Sequence, residues 1–244
     1  YWLWELYSMS IKFKDLVQDL VLGDLSATAL LETGSSAINK KYLPKLISSI
    51  NKALENFYSI FDLKEDSLII ELKPHISHYY LHSDYAYSNH EKQGLKYIVD
   101  NDLKPFNNDV ILILDISTLD GRALAINDPH SLFGVMIPQP NCILIPKDLG
   151  VKYLNVLYKA NHHLIPLTEP ETSEYEIEIP NGMYSAFSAY VACLFLQTMG
   201  GGKIEQSNAL FARYSTQVQL LQANGIGIKQ EIGTNYKPYI REWI

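Results

Sequence analysis

Arginine and long apolar runs are scarce in this sequence, and each shortage excludes a class of protein. Arginine occurs only at positions 122, 213 and 241, so the chain has few of the residues that bind phosphate most tightly. Its net charge is −7, whereas a protein that binds nucleic acid by neutralising phosphates is basic. No apolar run approaches the length of about 20 residues that spans a bilayer. The sequence therefore predicts neither a general nucleic-acid binder nor a membrane protein.

Cysteine is equally rare. The sequence has only Cys142 and Cys193, and each lies in an apolar run that is typical of a protein core. This pattern predicts two reduced, buried cysteines and excludes a secreted scaffold held by disulfides. Residues 1–7 are aromatic and apolar but lack the basic residues of a signal peptide, so we interpret them as part of an N-terminal arm.

The remaining composition is that of a folded protein that begins with helices. Of 244 residues, 47% are hydrophobic and 19% are charged, which is enough to build a buried core. Ser10 is expected to cap a helix over 11–22, and Gly23 to end it. A second helix is predicted over 44–61, because Pro44 suits a first turn and large apolar residues follow at spacings of three and four.

Short apolar runs separated by turn residues predict a β region over 66–179. The predicted strands are 68–72, 109–114, 122–126, 135–137, 142–145, 151–158 and 175–179. The last of these alternates between apolar and acidic residues, which indicates a half-exposed strand. Because no helical pattern lies between the strands, we expect an antiparallel sandwich or barrel and not a parallel sheet.

Helical patterns return after the β region and end in an apolar tail. Helices are predicted over 180–199 and from Ser207 to Asn224, with the glycines 200–202 between them. The tail after residue 225 is too short to build a core, yet it carries large apolar side chains that need another surface to cover them. The candidate partner-docking residues of the tail are Tyr236, Tyr239, Ile240, Trp243 and Ile244.

The helical zones at the two ends of the chain are expected to close into one bundle, because neither buries its apolar stripe alone. The predicted fold class is α+β, with an antiparallel helical bundle from the N- and C-terminal helices, an inserted antiparallel β sandwich or barrel-like domain, and an extended C-terminal tail. The predicted divisions are an arm over 1–9, bundle halves over 10–65 and 180–225, the β domain over 66–179 and the docking tail over 226–244.

Several residue clusters resemble catalytic or binding sites, but their spacing or their position in the chain does not fit such a site. His75, His78 and His82 lie close in sequence, but a metal site needs three or four convergent ligands. The run Gly200-Gly201-Gly202-Lys203 follows a helix and lacks the hydroxyl residue of a phosphate-binding loop. Spacing or context also argues against a functional site at three further places. They are His162-His163, the segment from Asn224 to Lys229, and the group of Asp115, Asp120 and Asp128. We therefore expect no catalytic, cofactor-binding or metal-binding residues.

Short segments in a fixed arrangement point to one family. They are Leu43-Pro44-Lys45-Leu46-Ile47, Ile50 to Tyr58, Phe61-Asp62-Leu63-Lys64-Glu65, Leu154 to His162, Ile177 to Pro180, Tyr190-Val191-Ala192, Met199 to Gly202, and Ser207 to Tyr214. With the order helix–helix–β–helix–helix–tail, the sequence resembles the head–tail connector (adaptor, or tail tubular A-like) proteins of short-tailed bacteriophages. The resemblance covers the helical zones, about half of the chain, and leaves the β region unmatched.

The resemblance implies a structural role and no enzymatic activity. Connector proteins form rings, usually of twelve copies, that join the portal to the tail and form part of the DNA conduit. The implied partners are further copies of the chain, the portal protein, downstream tail or nozzle proteins, and double-stranded DNA that passes through without tight binding. The implied location is the head–tail junction of the virion, after synthesis in the host cytoplasm. The residues assigned to the bundle and ring wall are Leu46, Ile50, Leu54, Phe57, Tyr190 and Leu194.

Three alternative interpretations of the sequence stay open. One is a different tail ring or a head-completion protein, which would share most of these features. Another is a glycan-cleaving domain, for which Glu171, Glu174, Glu176 and Glu178 are the clustered carboxylates. A third is a glycan-binding module, for which the aromatic segment 79–87 is the best surface.

Overall fold

A computed structural model describes residues 8–26, 28, 30, 39–87, 95–100, 105–131, 133–145, 149–166, 175–200 and 202–227. This part of the chain contains four α-helices and ten β-strands, so the fold is of the α+β class. Its buried apolar side chains form two separate clusters, one among the helices and one among the strands of the middle region.

The chain enters the fold as a strand and not as a helix. The strand β1 (Ser8–Lys12) precedes the helix α1 (Phe13–Leu22), so the prediction that Ser10 caps a helix over 11–22 is wrong at its start. The strand β1 pairs in antiparallel fashion with the strand β10 (Glu176–Pro180), with Ile11 opposite Ile177. Local periodicity predicted helix here because the pairing partner lies about 165 positions away, where no short window can detect it.

Three longer helices share the helical cluster of buried residues with α1. They are α2 (Leu43–Ile60), α3 (Tyr184–Met199) and α4 (Ile204–Ala223). The prediction of a helix over 44–61 is confirmed, and so is the end of a helix before glycines 200–202. The helix α3 begins four residues later than predicted, because Pro180 ends β10 and residues Asn181–Met183 form a short 3-10 helix.

The first core joins the two ends of the chain. The ring of Phe57 on α2 packs edge-on against Phe187 on α3, with 5.5 Å between the ring centroids. On the other side of α3, the Sγ atom of Cys193 lies 3.4 Å from the Oγ atom of Ser207 on α4. Ile177 and Ile179 of β10 are buried in the same core. The strand that the sequence analysis placed at the end of the β region therefore contributes to the helical core.

The middle of the chain forms two sheets. The five-stranded sheet has the order β4 (Ala86–Tyr87), β5 (Ile98–Val99), β2 (Glu65–Glu71), β9 (Tyr153–Ala160), β6 (Val110–Thr118). The three-stranded sheet has the order β3 (His78–Tyr80), β8 (Cys142–Leu144), β7 (Met136–Gln139). The pairing is antiparallel except between β4 and β5. The expected antiparallel pairing therefore fails at this pair of two-residue strands and at the isolated parallel bridge between Ile126 and Val135. In place of the predicted strand over 122–126, Ala123 and Ile126 form isolated bridges.

The two sheets share the second core. Tyr79 of β3 and Ile143 of β8 are buried with Ile70 of β2 and Val156 of β9. The strand β2 begins five residues after α2 ends, and β9 leads back toward the helices, where Ile165 is buried in the first core. The end of α2, the start of β2 and the end of β9 therefore form the junction between the two cores.

Candidate functional site

An ion pair between a buried lysine and a partly exposed aspartate fixes the junction between the two cores. The side chain of Lys159 on β9 is only 8% exposed, and its Nζ atom lies 3.0 Å from the Oδ1 atom of Asp62. The same ammonium donates a hydrogen bond of 2.9 Å to the backbone carbonyl of Ser59, in the last turn of α2. A cation at the carboxyl end of a helix is stabilised by the helix dipole. The ion pair therefore attaches β9 to the end of α2.

The chain that follows α4 is anchored to the same junction. Gly225 and Gly227 have positive φ angles of 67° and 70°, and they turn the backbone away from the helix. The Asp62 amide donates a hydrogen bond of 2.7 Å to the Gly227 carbonyl. A Cβ atom at Gly227 would overlap Met183 Cε and would lie 3.1 Å from Phe61 Cδ1. Position 227 therefore strongly favours glycine, because of both its positive φ angle and this close packing.

His162 is packed between two tyrosines beside the junction. Its ring centroid lies 5.3 Å from that of Tyr58 on α2 and 5.9 Å from that of Tyr175, directly before β10. Burial, helped by the nearby charge of Lys64, lowers the pKa of His162 to about 4, although a hydrogen bond to the His163 carbonyl opposes the shift. The hydroxyl of Tyr58 donates to the backbone carbonyl of Glu178 at 3.1 Å. These contacts hold the neutral imidazole against the helical core.

Polar side chains line a cleft of about 430 Å³ next to His162. Asp109 accepts a hydrogen bond of 3.1 Å from the Tyr158 hydroxyl and lies 3.9 Å from the Lys64 ammonium. The amide of Asn51 binds both the N–H and the carbonyl of Ile165. These hydrogen bonds and this ion pair stabilise the junction.

A second charged cluster lies at the far end of the five-stranded sheet, in a cleft of about 1010 Å³. The carboxylate of Glu71 is 2.6 Å from the Lys73 ammonium and 3.6 Å from that of Lys152. It also accepts a hydrogen bond of 2.7 Å from Tyr87. The hydrogen bonds from Lys73 and Tyr87 lower the pKa of Glu71 to about 2. The carboxylate is thus fully ionised and saturated by its neighbours, as in a structural ion pair.

The three clustered histidines and the aromatic segment 79–87 lie on and beside β3. His75, His78 and His82 are exposed, and among the described residues no group of three or more His, Cys, Asp or Glu is arranged to hold a metal ion. Tyr79 and Tyr87 are 1% and 5% exposed. Tyr79 belongs to the second core, whereas Tyr80 is 41% exposed, and a glycan-binding role of the segment 79–87 stays a prediction.

The structure describes both cysteines and two of the four clustered glutamates. Cys142 and Cys193 are free and buried, as the apolar context predicted. Glu176 and Glu178 are exposed on β10, while Glu171 and Glu174 lie outside the described residues. The two described carboxylates face solvent on one side of a two-stranded sheet and not a cleft.

The residues assigned to the ring wall divide into two groups. Leu46, Ile50, Leu54 and Phe57 are at most 2% exposed in the first core. Tyr190 and Leu194 are partly buried against it, and the Tyr190 ring stacks on Tyr214 of α4 at 4.2 Å. The four residues of α2 therefore hold the helices together and cannot contact another molecule.

The outer face of α4 is a candidate surface that the sequence analysis missed. Only Glu205 and Arg213 are charged among its 20 residues, and Arg213 is held by Asp24 through two hydrogen bonds of 3.0 and 2.9 Å. The exposed apolar residues are Ile204, Phe211 and Leu220, at 68%, 50% and 58%. The remaining exposed positions are mostly alanine, threonine, asparagine and glutamine. The low charge of this segment was the signal that could have identified it.

The predicted docking residues Tyr236, Tyr239, Ile240, Trp243 and Ile244 lie outside the described residues. In the part of the chain that the structure describes, no helix is long and apolar enough to cross a bilayer. The sequence matches no protein-family model and no curated protein.

Proposed function

We propose that this chain is a structural subunit of a head–tail connector ring, which joins the portal of a virion to its tail. The observation that carries the proposal is that helices from both ends of the chain share one core, while a β region with its own core interrupts them. This order accompanies the segments that resemble the connector family. We interpret the helices as an antiparallel bundle, the two sheets as a sandwich or barrel-like insertion, and residues 226–244 as an extended docking tail.

The outer face of α4 supports contact between copies of the chain. The centre of a protein interface is depleted in charge, and α4 exposes apolar and small uncharged residues over much of its length. A contact between two different faces of neighbouring copies repeats until the ring closes. We propose a ring of about twelve copies in which α4 contacts the next copy.

The other partners follow from the same proposal. The tail docks on the portal or on a neighbouring ring, and downstream tail or nozzle proteins attach on the opposite side. Double-stranded DNA passes through the lumen during packaging and ejection, and a net charge of −7 disfavours tight binding of phosphate. The chain then acts in the virion at the head–tail junction, after synthesis in the host cytoplasm. In this role it needs no enzymatic activity, no cofactor and no membrane.

Composition of the native particle tests this function. Particles from the native source are purified by gentle lysis and sedimentation, the chain is quantified against the major capsid protein, and the particles are imaged by electron microscopy. We expect about a dozen copies per DNA-containing particle, with density for the chain below the portal. A chain that sediments alone at its own mass, with no copies in the particles, would show that the proposed function is wrong.

A further inference from the structure

The exposed side of α2 carries a line of lysines. Lys45 and Lys52 lie two helical turns apart on the same side of α2, which places them about 10 Å apart along the helix axis. Lys41 lies four residues before Lys45, in the turn that leads into the helix. All three side chains are exposed, and so is Ser48 between Lys45 and Lys52. These four residues are called the lysine face of α2 below.

The positive charge of the lysine face is not neutralised within the described fold. In the described part of the chain, no carboxylate lies within ion-pair distance of Lys41, Lys45 or Lys52. The Lys45 ammonium lies 3.5 Å from the Thr198 carbonyl, near the end of α3. The single acid of α2 is Glu55, which follows Lys52 by three residues.

The surplus of positive charge is specific to this side of the helical core. Among the four described helices, α2 alone contains more basic than acidic residues. The helix α3 contains no charged residue, and the two charged residues of α4 have opposite signs. The whole chain has a net charge of −7. The lysine face is therefore a local exception on an acidic protein.

The lysine face also lacks the apolar residues of a protein interface. The other exposed positions of α2 are Pro44, Glu55 and Ser59, and none of the large exposed hydrophobic residues of the described chain belongs to this helix. Lysine is depleted in protein interfaces. Surfaces that bind nucleic acid are polar and positively charged, and serine hydroxyls contact phosphates beside lysines. The composition of this face therefore fits the phosphates of a nucleic acid better than another protein.

We propose that the lysine face of α2 lines the channel of the connector ring and contacts the phosphates of the duplex DNA that passes through it. This inference deepens the proposed function and rests on it. It orients each copy in the ring, with α2 toward the lumen and the outer face of α4 toward the neighbouring copy. Phosphate contacts carry no sequence information, so the same face serves DNA of any sequence.

Lysine suits a surface past which DNA has to move. Its ammonium is a compact charge on a flexible stem, which attracts a phosphate without the fixed two-bond geometry that arginine imposes. No arginine lies on α2. Three lysines in each copy neutralise few phosphates, and such contacts are weak at physiological salt. The lysine face therefore guides the duplex without retaining it, in agreement with the acidic balance of the whole chain.

Photo-cross-linking in assembled particles tests this placement. A photoreactive benzoylphenylalanine replaces Ser48 during infection, and in the matched control it replaces Gln18, which is exposed on α1. Purified DNA-filled particles are irradiated and digested with nuclease, and the fraction of the chain that carries nucleotides is measured. We expect this fraction to be at least about tenfold higher for position 48 than for position 18, because only α2 contacts DNA. Replacement of Ser59, on the same side of α2, provides a second site if the position-48 chain does not assemble.

Charge variants test the role of the lysines in the same particles. Lys45→Gln with Lys52→Gln, added to the position-48 chain, should lower the cross-linked fraction by about threefold or more, because fewer phosphates are attracted to this face. Lys14→Gln on α1 is the matched control and should leave the fraction unchanged. The number of copies per particle and the thermal unfolding of each variant report whether assembly and folding are intact.

The possible failures are distinguishable. If the chain is present in the particles but position 48 reacts with DNA no more than position 18, the inference is wrong and the proposed function stands. If position 48 reacts with a protein, α2 forms a protein interface and the assigned partner is wrong. If the lysine variants leave the DNA cross-link unchanged, the lysines do not attract the duplex and the inference is wrong. If the particles contain no copies of the chain, the proposed function and this inference both fall.

Discussion

The ammonium of Lys159, whose side chain is 8% exposed, lies 3.0 Å from the carboxylate of Asp62. Lys159 belongs to the β region, whereas Asp62 follows the last turn of α2 and binds the Gly227 carbonyl through its amide. The pair therefore joins three parts of the chain: the helical core, the β region and the start of the tail.

Removal of the acid of this pair should destabilise the protein. In Asp62→Asn the buried ammonium of Lys159 keeps its hydrogen bond to the Ser59 carbonyl but loses the opposite charge of Asp62. The free energy of unfolding should fall by about 2–3 kcal/mol, because a buried charge is left uncompensated. Urea unfolding at pH 7 measures the loss. The double variant Asp62→Asn with Lys159→Met is the matched control and should recover most of it. A loss below about 0.5 kcal/mol in the single variant would contradict the role of the pair.

Gly227→Ala should loosen the start of the tail. The new methyl group meets Met183 and Phe61, and alanine is strained at a φ angle of 70°. Gly121→Ala is the matched control, because Gly121 has a φ angle of 88° but no atom within 4 Å of the added Cβ. Both variants share the backbone strain, so Gly227→Ala should lose at least about 1 kcal/mol more than Gly121→Ala in thermal or urea unfolding. Equal losses would show that the tail is not held at this point.

His162 should make stability depend on pH. Its pKa falls from 6.5 to about 4 in the folded protein, so the unfolded chain binds a proton between these pH values while the folded chain does not. The contribution of the neutral ring is complete above pH 6.5 and is lost progressively as the pH falls toward 4. Urea unfolding should show a loss of about 1–2 kcal/mol over this range.

In His162→Phe this part of the pH dependence should disappear, since the phenyl ring fits between the tyrosines without binding a proton. Measurements at pH 8, where the wild-type imidazole is neutral, give the packing difference between the two side chains. Parallel stability profiles for the wild type and the variant between pH 6.5 and pH 4 would exclude His162 as the cause.

Ala212→Glu should separate assembly from folding. Ala212 is exposed on the outer face of α4, so the variant should keep its unfolding free energy within about 0.5 kcal/mol. Under the proposed function the new carboxylate is desolvated between neighbouring copies, and the number of copies per particle should fall severalfold. Gln139→Glu, which places the same charge on an exposed position of β7, is the control. Normal incorporation of Ala212→Glu would exclude this face as the contact between copies.

Much of the secondary structure follows from the sequence alone. The stripe of apolar residues in α2, the glycines after α3 and the alternation of Ile177 and Ile179 with two glutamates are local patterns, and each predicts its element correctly. The low charge of α4 and the clustering of all three tryptophans in the terminal segments are also visible in the sequence.

Pairing between distant residues was decided only by the tertiary structure. Residues Ser8–Lys12 became a strand because β10 lies beside them, and β10 contributes Ile177 and Ile179 to the helical core. The ion pair of Asp62 with Lys159 joins residues 97 positions apart, and Gly227 lies close to Met183, which precedes it by 44 positions. Local spacing fixes backbone dihedral preferences and apolar faces, since these depend on near neighbours. Burial, desolvation and contacts between distant residues depend on which faces pack together, and only the folded chain determines that.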